Sequence, residues 1–191
     1  EQTPLMVFGD HNLMNLNAAK LVCEQLGVNN SDFAKAIATF TGAAKRLELL
    51  SSEKNTNVYK DFAHSPSKLK ATLDAVKAQF VDRKLVACIE LHTFSSLNKT
   101  FLAEYKNTMN DADVKIVYID EKTFIQKKMQ PFNENDVRTS FNDESIVFFS
   151  DAAKLEAYLR NLNYSHTNLL LMSSGNYGGI DLAKLASELD K

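Results

Sequence analysis

A chain of 191 residues, 45% of them hydrophobic, is long enough to bury a full core. Its formal charge of -2, with Lys, Arg, Asp and Glu interspersed, leaves no basic stripe and argues against nucleic acid or an anionic membrane as the main partner. No apolar run approaches the roughly 20 residues of a membrane helix, no signal-peptide pattern opens the chain, and Cys23 and Cys88 lack metal-ligand spacing, which predicts a cytoplasmic protein with two buried free thiols.

In chain order, after an opening Glu1-Gln2-Thr3 that reads as a cut end, residues 5–8 predict a strand that stops at Gly9. A helix follows from about His11-Asn12, with Leu16, Ala19, Cys23 and Leu26 at helical spacing and Gly27 closing it. A second helix is expected from a Ser31 cap, with Phe33, Ala36, Ile37 and Phe40 as its buried stripe. Thr41-Gly42-Ala43-Ala44 breaks the pattern, and the boundary is drawn there, with residues 1–41 as the end of one domain and 42–191 as a second.

Residues 46–50 and 58–60 predict a hairpin around the turn-rich stretch 51–57. Pro66, with Ser65 as its cap, opens a helix to Phe80 that buries Leu69, Leu73 and Val76. The apolar run 85–89 has the character of a parallel strand covered on both faces. Helix 98–109, strand 114–118, helix 134–141, strand 146–149, a helix capped by Ser150, strand 169–172 and helix 180–189 complete the alternation, and 121–133 reads as an exposed excursion. This rhythm predicts an α/β fold of Rossmann-like type: a mostly parallel sheet with helices on both faces.

Several constellations carry chemistry. Asp61 and His64 lie just past a strand, where open α/β sheets bind ligands, although an Asp and a His in a turn are more often capping or solvated groups. Asn12 and Asn15, three apart beside His11, present carboxamides suited to a nucleobase edge, while spacing alone favours capping by one and solvation of the other. Arg46 follows the break, where a guanidinium reaches a phosphate held by a neighbouring domain or pairs with Glu48. Glu90 and His92 follow a buried strand and suit an amine or carboxylate, with a solvated loop as the alternative. Ser173 to Gly179 holds three of the six glycines. The pattern GxxxxGK[ST], a serine nucleophile elbow and zinc-ligand spacing are all absent.

Three segments together resemble a known family. Gly9-Asp10-His11-Asn12-Leu13-Met14-Asn15-Leu16-Asn17-Ala18-Ala19 is similar to the GxHNxxNxxAA segment of the Mur ligases, ATP-dependent amide-forming enzymes of bacterial peptidoglycan. Phe40 to Glu48 resembles their FxGxxxRxE segment, and Asp61 to Pro66 their DxxHxP segment. Glu90 in place of glutamine and the loop Met172-Ser173-Ser174-Gly175-Asn176-Tyr177-Gly178-Gly179-Ile180 are similar to the murein peptide ligase branch, which recycles a tripeptide, L-alanyl-γ-D-glutamyl-diaminopimelate, onto UDP-N-acetylmuramate.

The resemblance implies that residues 1–41 end the central ATP-binding domain and that 42–191 form the C-terminal domain. It implies that His11, Asn12 and Asn15 line an adenine site, Asp61 holds the ribose of ATP, and Arg46 approaches the phosphates. His64, Glu90, His92, Ser174, Gly175 and Asn176 would line the tripeptide pocket, with Arg46 and His64 nearest the chemistry. Mg2+ and the phosphate loop would be held mainly by upstream parts, so the 191-residue chain alone is expected to fold without ligating. Thr93 stands where the alanine-adding branch has arginine, and Ser65 replaces a second histidine. A UDP-N-acetylmuramate–L-alanine ligase, or a stand-alone peptide- or nucleotide-binding module, is the alternative.

Overall fold

The computed structural model describes residues 3–53 and 56–189. Helices α1 (Asp10–Gln25) and α2 (Asn30–Ile37) precede a six-stranded sheet built entirely from later residues. The strand expected at 5–8 does not form, because no strand among the described residues lies beside that segment to share a ladder. The segment instead anchors through Phe8, whose ring packs edge-on against Tyr59 at 5.8 Å and Phe80 at 5.7 Å.

Gly27, at φ +83°, closes α1 as expected: Val28 N–H donates to Cys23 O and Gly27 N–H to Glu24 O. The cap of α2 is Asn29 rather than Ser31, since Asn29 Oδ1 accepts from Asp32 N–H at 2.9 Å. Neither helix has a fully buried residue. The stripe expected to be buried is only partly covered, Phe40 being 46% exposed, and Leu13, Met14, Leu21, Val22 and Leu26 leave a second apolar surface open. Cys23 is half-buried rather than buried, and both cysteines are free.

The hairpin is β1 (Glu48–Glu53) against β2 (Thr56–Asp61). The turn expected over 51–57 is narrower, because Ser51, Ser52, Thr56 and Asn57 belong to the strands; Lys54 and Asn55 lie outside the described residues. Next come α3 (Pro66–Gln79), β3 (Lys84–Glu90), α4 (Lys99–Leu102), β4 (Val114–Tyr118), α5 (Glu121–Lys127), α6 (Glu134–Phe141), β5 (Val147–Phe149), α7 (Ala152–Asn161), β6 (Thr167–Met172) and α8 (Leu182–Glu188). The strand order is β1-β2-β6-β3-β4-β5, parallel throughout except for β1.

Several local expectations are corrected. Ser65 occupies the N-cap position of α3 but makes no side-chain cap bond, leaving Pro66 as the start signal. The helix expected over 98–109 shrinks to α4 and a 3-10 turn at Ala103–Tyr105, because Asn107 turns to φ +60° and its N–H donates to Phe141 O. The expected excursion at 121–133 holds α5, with Thr123 and Phe124 buried and the Phe124 ring edge-on to Phe132. Asp151, not Ser150, caps α7: Asp151 Oδ1 accepts from Lys154 N–H, while Ser150 Oγ donates to Glu121.

The strands alternate their side chains between two apolar layers. Tyr59, Ala87, Ile89, Val117, Leu170 and Met172 pack with α3 to α6 on one face, and Val58, Val86, Cys88, Ile116, Leu169 and Leu171 with α7 and α8 on the other. The crossovers from β2 to β5 run over the first face and the return to β6 over the second. The loop leaving β6 therefore diverges from those leaving β2 and β3, opening a crevice at the carboxyl ends of the strands.

On the first face Lys99 Nζ lies 2.6 Å from Asp136 Oδ1. The Lys99 bond, then the Asn133 backbone N–H, hold the Asp136 carboxyl below its ordinary range. A depressed carboxylate stabilises the fold above its unfolded pKa, and the contribution is lost as pH falls through the folded pKa. Lys99→Met should therefore cost about 0.2–1 kcal/mol at neutral pH, given an exposed lysine. In urea unfolding series, its gap from the parent chain should close as the pH falls below the ordinary aspartate range; a gap constant with pH would refute the pairing.

Candidate functional site

Two cavities open at the carboxyl edge of the sheet. The first is a groove of about 750 Å³ between α1, the 40–46 link and the β2–α3 junction. His11, Asn12, Asn15, Arg46 and Asp61 all line it, together with Val7, Leu16, Ala19, Ile37, Phe40 and Ala71. An apolar slot edged by carboxamides and one carboxylate suits a flat heterocycle bearing hydroxyl groups.

Asp61 is nearly enclosed, at 5% exposure. Its Oδ2 accepts from Leu47 N–H at 2.8 Å and its Oδ1 from Ala63 N–H at 2.7 Å, with Thr72 Oγ1 at 3.4 Å. A carboxylate has about four acceptor sites, so one remains for a ligand at the groove wall. The side chain thus fastens the link into the sheet as well as facing the groove. Asn12 Nδ2 donates to Phe8 O at 2.8 Å, back-bonding rather than capping, and Gly9, the N-cap residue of α1, makes no side-chain cap bond. Asn15 is exposed.

Arg46 is also exposed, with its guanidinium 5.5 Å from the Phe62 ring centroid. It does not pair with Glu48, whose Oε2 accepts from Lys45 N–H instead. His64 Nδ1 lies 2.7 Å from Phe62 O, which fixes the proton on Nδ1 and leaves Nε2 as the acceptor.

The second cavity, of about 400 Å³, sits at the ends of β3, β4 and β6. Glu90, His92, Asp120, Thr123, Gln126, Gly175, Asn176, Gly178 and Gly179 line it. Four of the six residues expected at a peptide pocket gather here, whereas His64 and Ser174 are not among its lining residues. Sequence reasoning missed Asp120, Thr123 and Gln126; the only signal was that Asp120 directly follows a strand and reads as a helix cap.

Glu90 is 2% exposed, with Oε2 accepting from Tyr177 N–H at 2.9 Å and from Ser173 Oγ. Ser173 Oγ in turn accepts from Gly175 N–H at 2.6 Å, so one buried carboxylate organises the loop after β6. Glu90 Oε1 lies 4.0 Å from His92 Nδ1. Tyr177 Oη donates to the Cys88 and Met172 carbonyls, and burial raises both the Tyr177 phenol and the Cys88 thiol above their ordinary pKa values, keeping them protonated. With Glu90 and Asp120 against a single histidine, the pocket is suited to an ammonium group. Among the described residues no group of three or more His, Cys, Asp or Glu side chains is arranged to hold a metal ion.

Residues 45–175 match the family described as Mur ligase, glutamate ligase domain. UDP-N-acetylmuramate–L-alanine ligase of Caldicellulosiruptor bescii is 38% identical over 113 residues, which make up 59% of this chain and 24% of that protein. The matched part is thus about a quarter of the length of that relative. The crystal structure of UDP-N-acetylmuramate-alanine ligase from Thermotoga maritima aligns with a TM-score of 0.70 and 22% identity, covering 91% of this chain and 36% of that one. A murein peptide ligase from Psychrobacter arcticus aligns at 0.63 and 23% identity, covering 95% and 37%. At these identities the structural likenesses establish the fold.

Proposed function

The chain belongs to the Mur ligase, glutamate ligase domain family, and from that premise we propose that it is the C-terminal domain, residues 42–191, of an ATP-dependent amide-forming ligase of peptidoglycan metabolism, preceded in residues 1–41 by the end of its central domain. The observation that carries this reading is the groove, where His11, Asn12 and Asn15 on α1 meet Arg46 and Asp61 on the following domain.

The residues present fit the nucleoside part of ATP. The apolar slot receives adenine against Asn12 and Asn15, the unused Asp61 lone pair accepts from a ribose hydroxyl, and the exposed Arg46 guanidinium extends toward the phosphates. When bound, ATP supplies the phosphoryl group that activates the muramate carboxylate for attack by an amine. His64 offers its Nε2 acceptor near the link. Mg2+ would be held mainly by parts upstream of this chain.

For the acceptor we propose the tripeptide L-alanyl-γ-D-glutamyl-diaminopimelate, joined to UDP-N-acetylmuramate in cytoplasmic cell-wall recycling. A cavity of about 400 Å³ is far larger than one alanine fills. Glu90, His92, Gly175 and Asn176 supply its polar walls. The second reading, an L-alanine acceptor, is favoured by the name of the C. bescii relative.

Calorimetry on the 191-residue chain separates the two. Tripeptide binding with no heat from L-alanine, and no ATP hydrolysis by the chain alone, is the expected result. L-alanine binding without tripeptide binding would establish the second reading, and binding of neither would remove the acceptor pocket.

A further inference from the structure

Among the described residues, Tyr118 Oη and Ser174 Oγ are the buried side-chain atoms with no hydrogen-bond partner. Tyr118, at the end of β4, is wholly buried. Its ring stacks on Tyr177, 6.1 Å between centroids and 14° from parallel. The two phenols face opposite fates, for Tyr177 Oη is bonded to two carbonyls while Tyr118 Oη has none. A phenylalanine would fill the same space without stranding a hydroxyl, and a stranded buried hydroxyl is costly to the fold.

The surroundings say where that hydroxyl is aimed. A Cβ built on Gly178 would stand 2.5 Å from Tyr118 Oη, 2.8 Å from Ala152 Cβ and 3.6 Å from Asp120 Oδ2. Gly178, at φ +64°, is therefore a glycine for two reasons: its backbone conformation, and the phenol and Ala152, which leave no room for a side chain. Gly178 and Asp120 both line the polar pocket, so the hydroxyl lies directly beneath its floor.

We propose that Tyr118 Oη, together with the Asp120 carboxylate, forms an ammonium-recognition point at the floor of the acceptor pocket. The phenol oxygen accepts one ammonium N–H and Asp120 neutralises the charge, with Glu90 on the adjoining wall. The fold carries an unmet acceptor that a cationic acceptor substrate satisfies, which makes Tyr118 a specificity-determining residue. This rests on the pocket binding an amine acceptor. The tripeptide offers two such groups, the alanyl amine and the distal amine of diaminopimelate.

The test compares the 191-residue chain with Tyr118→Phe by calorimetry and thermal unfolding. The titrants are the tripeptide, its N-acetylated form, and the analogue ending in 2-aminopimelate, which lacks the distal amine. Tyr118→Phe should bind the tripeptide roughly tenfold more weakly while melting about 2–4 °C higher without ligand, because the unmet hydroxyl is gone. One of the two modified titrants should lose affinity for the parent chain and bind both chains alike, identifying which amine is read. Unchanged tripeptide affinity in Tyr118→Phe, or a lowered melting temperature, overturns the proposal while leaving the acceptor pocket standing. Absence of tripeptide binding to the parent chain overturns both.

Discussion

Replacing Asp61 with alanine is expected to cost about 2–4 kcal/mol of folding stability, because it strands the buried N–H groups of Leu47 and Ala63 together. The measurement is urea unfolding of parent and variant. A loss under about 0.5 kcal/mol, the range of ordinary surface substitutions, would refute the fastening role. The nucleotide role needs a separate readout, since a destabilised wall weakens binding by itself. Adenosine should bind the parent chain roughly tenfold more tightly than 2′,3′-dideoxyadenosine. Asp61→Asn, which keeps the shape, should erase that preference. If the asparagine variant still favours adenosine, the ribose contact is wrong even though the fastening stands.

The second large effect is expected at Gly175. A Cβ there would stand 2.7 Å from Glu90 Oε2 and 2.9 Å from His92 Cγ. The obstacle includes a carboxylate already committed to Tyr177 N–H and Ser173 Oγ, so relief requires breaking that network. Gly175→Ala should lose about 1–3 kcal/mol of stability and weaken tripeptide binding at least tenfold as the walls part. Gly27→Ala is the control: at φ +83° with nothing within 4 Å, it should lose about 1 kcal/mol through backbone strain and leave binding unchanged. Equal binding losses in both would mean that Gly175 acts through stability alone.

Most of the sheet was legible in the sequence because its strands are continuous apolar runs, and apolar runs between capped helices have few other interpretations. The residues lining the groove were legible because three short motifs bring them in, and the fold gathers all five. What was hidden depends on neighbours distant in sequence. Residues 5–8 have the composition of a strand, but a strand is a pairing, and among the described residues no strand pairs with them. The 121–127 helix hides in a short polar stretch whose burial rests on two aromatic rings meeting at Phe124 and Phe132. Tyr118 reads as one more core residue of an apolar strand, and nothing local reveals that its hydroxyl goes unmatched. Asp61 was legible as a candidate at the strand end, and it lines the groove, but its fastening role was not legible, since Leu47 N–H is 14 residues away.

The position of β6 bears on how the chain reaches this structure. β2 and β3 flank it and are each hydrogen-bonded to it, so the middle of the sheet stays open until the last strand arrives. Thr56 Oγ1 meets Tyr164 O only across a sequence separation of 108. During synthesis the hairpin, α3 and the β3–β5 half emerge before β6 as two separated halves with unpaired inner edges, and closure waits for β6 to leave the ribosome. Long-range central insertion of this kind makes for slow folding and for intermediates with sticky strand edges. A ribosome stalled before β6 is made would thus hold a chain with the crevice at its strand ends unformed and its sheet unzipped.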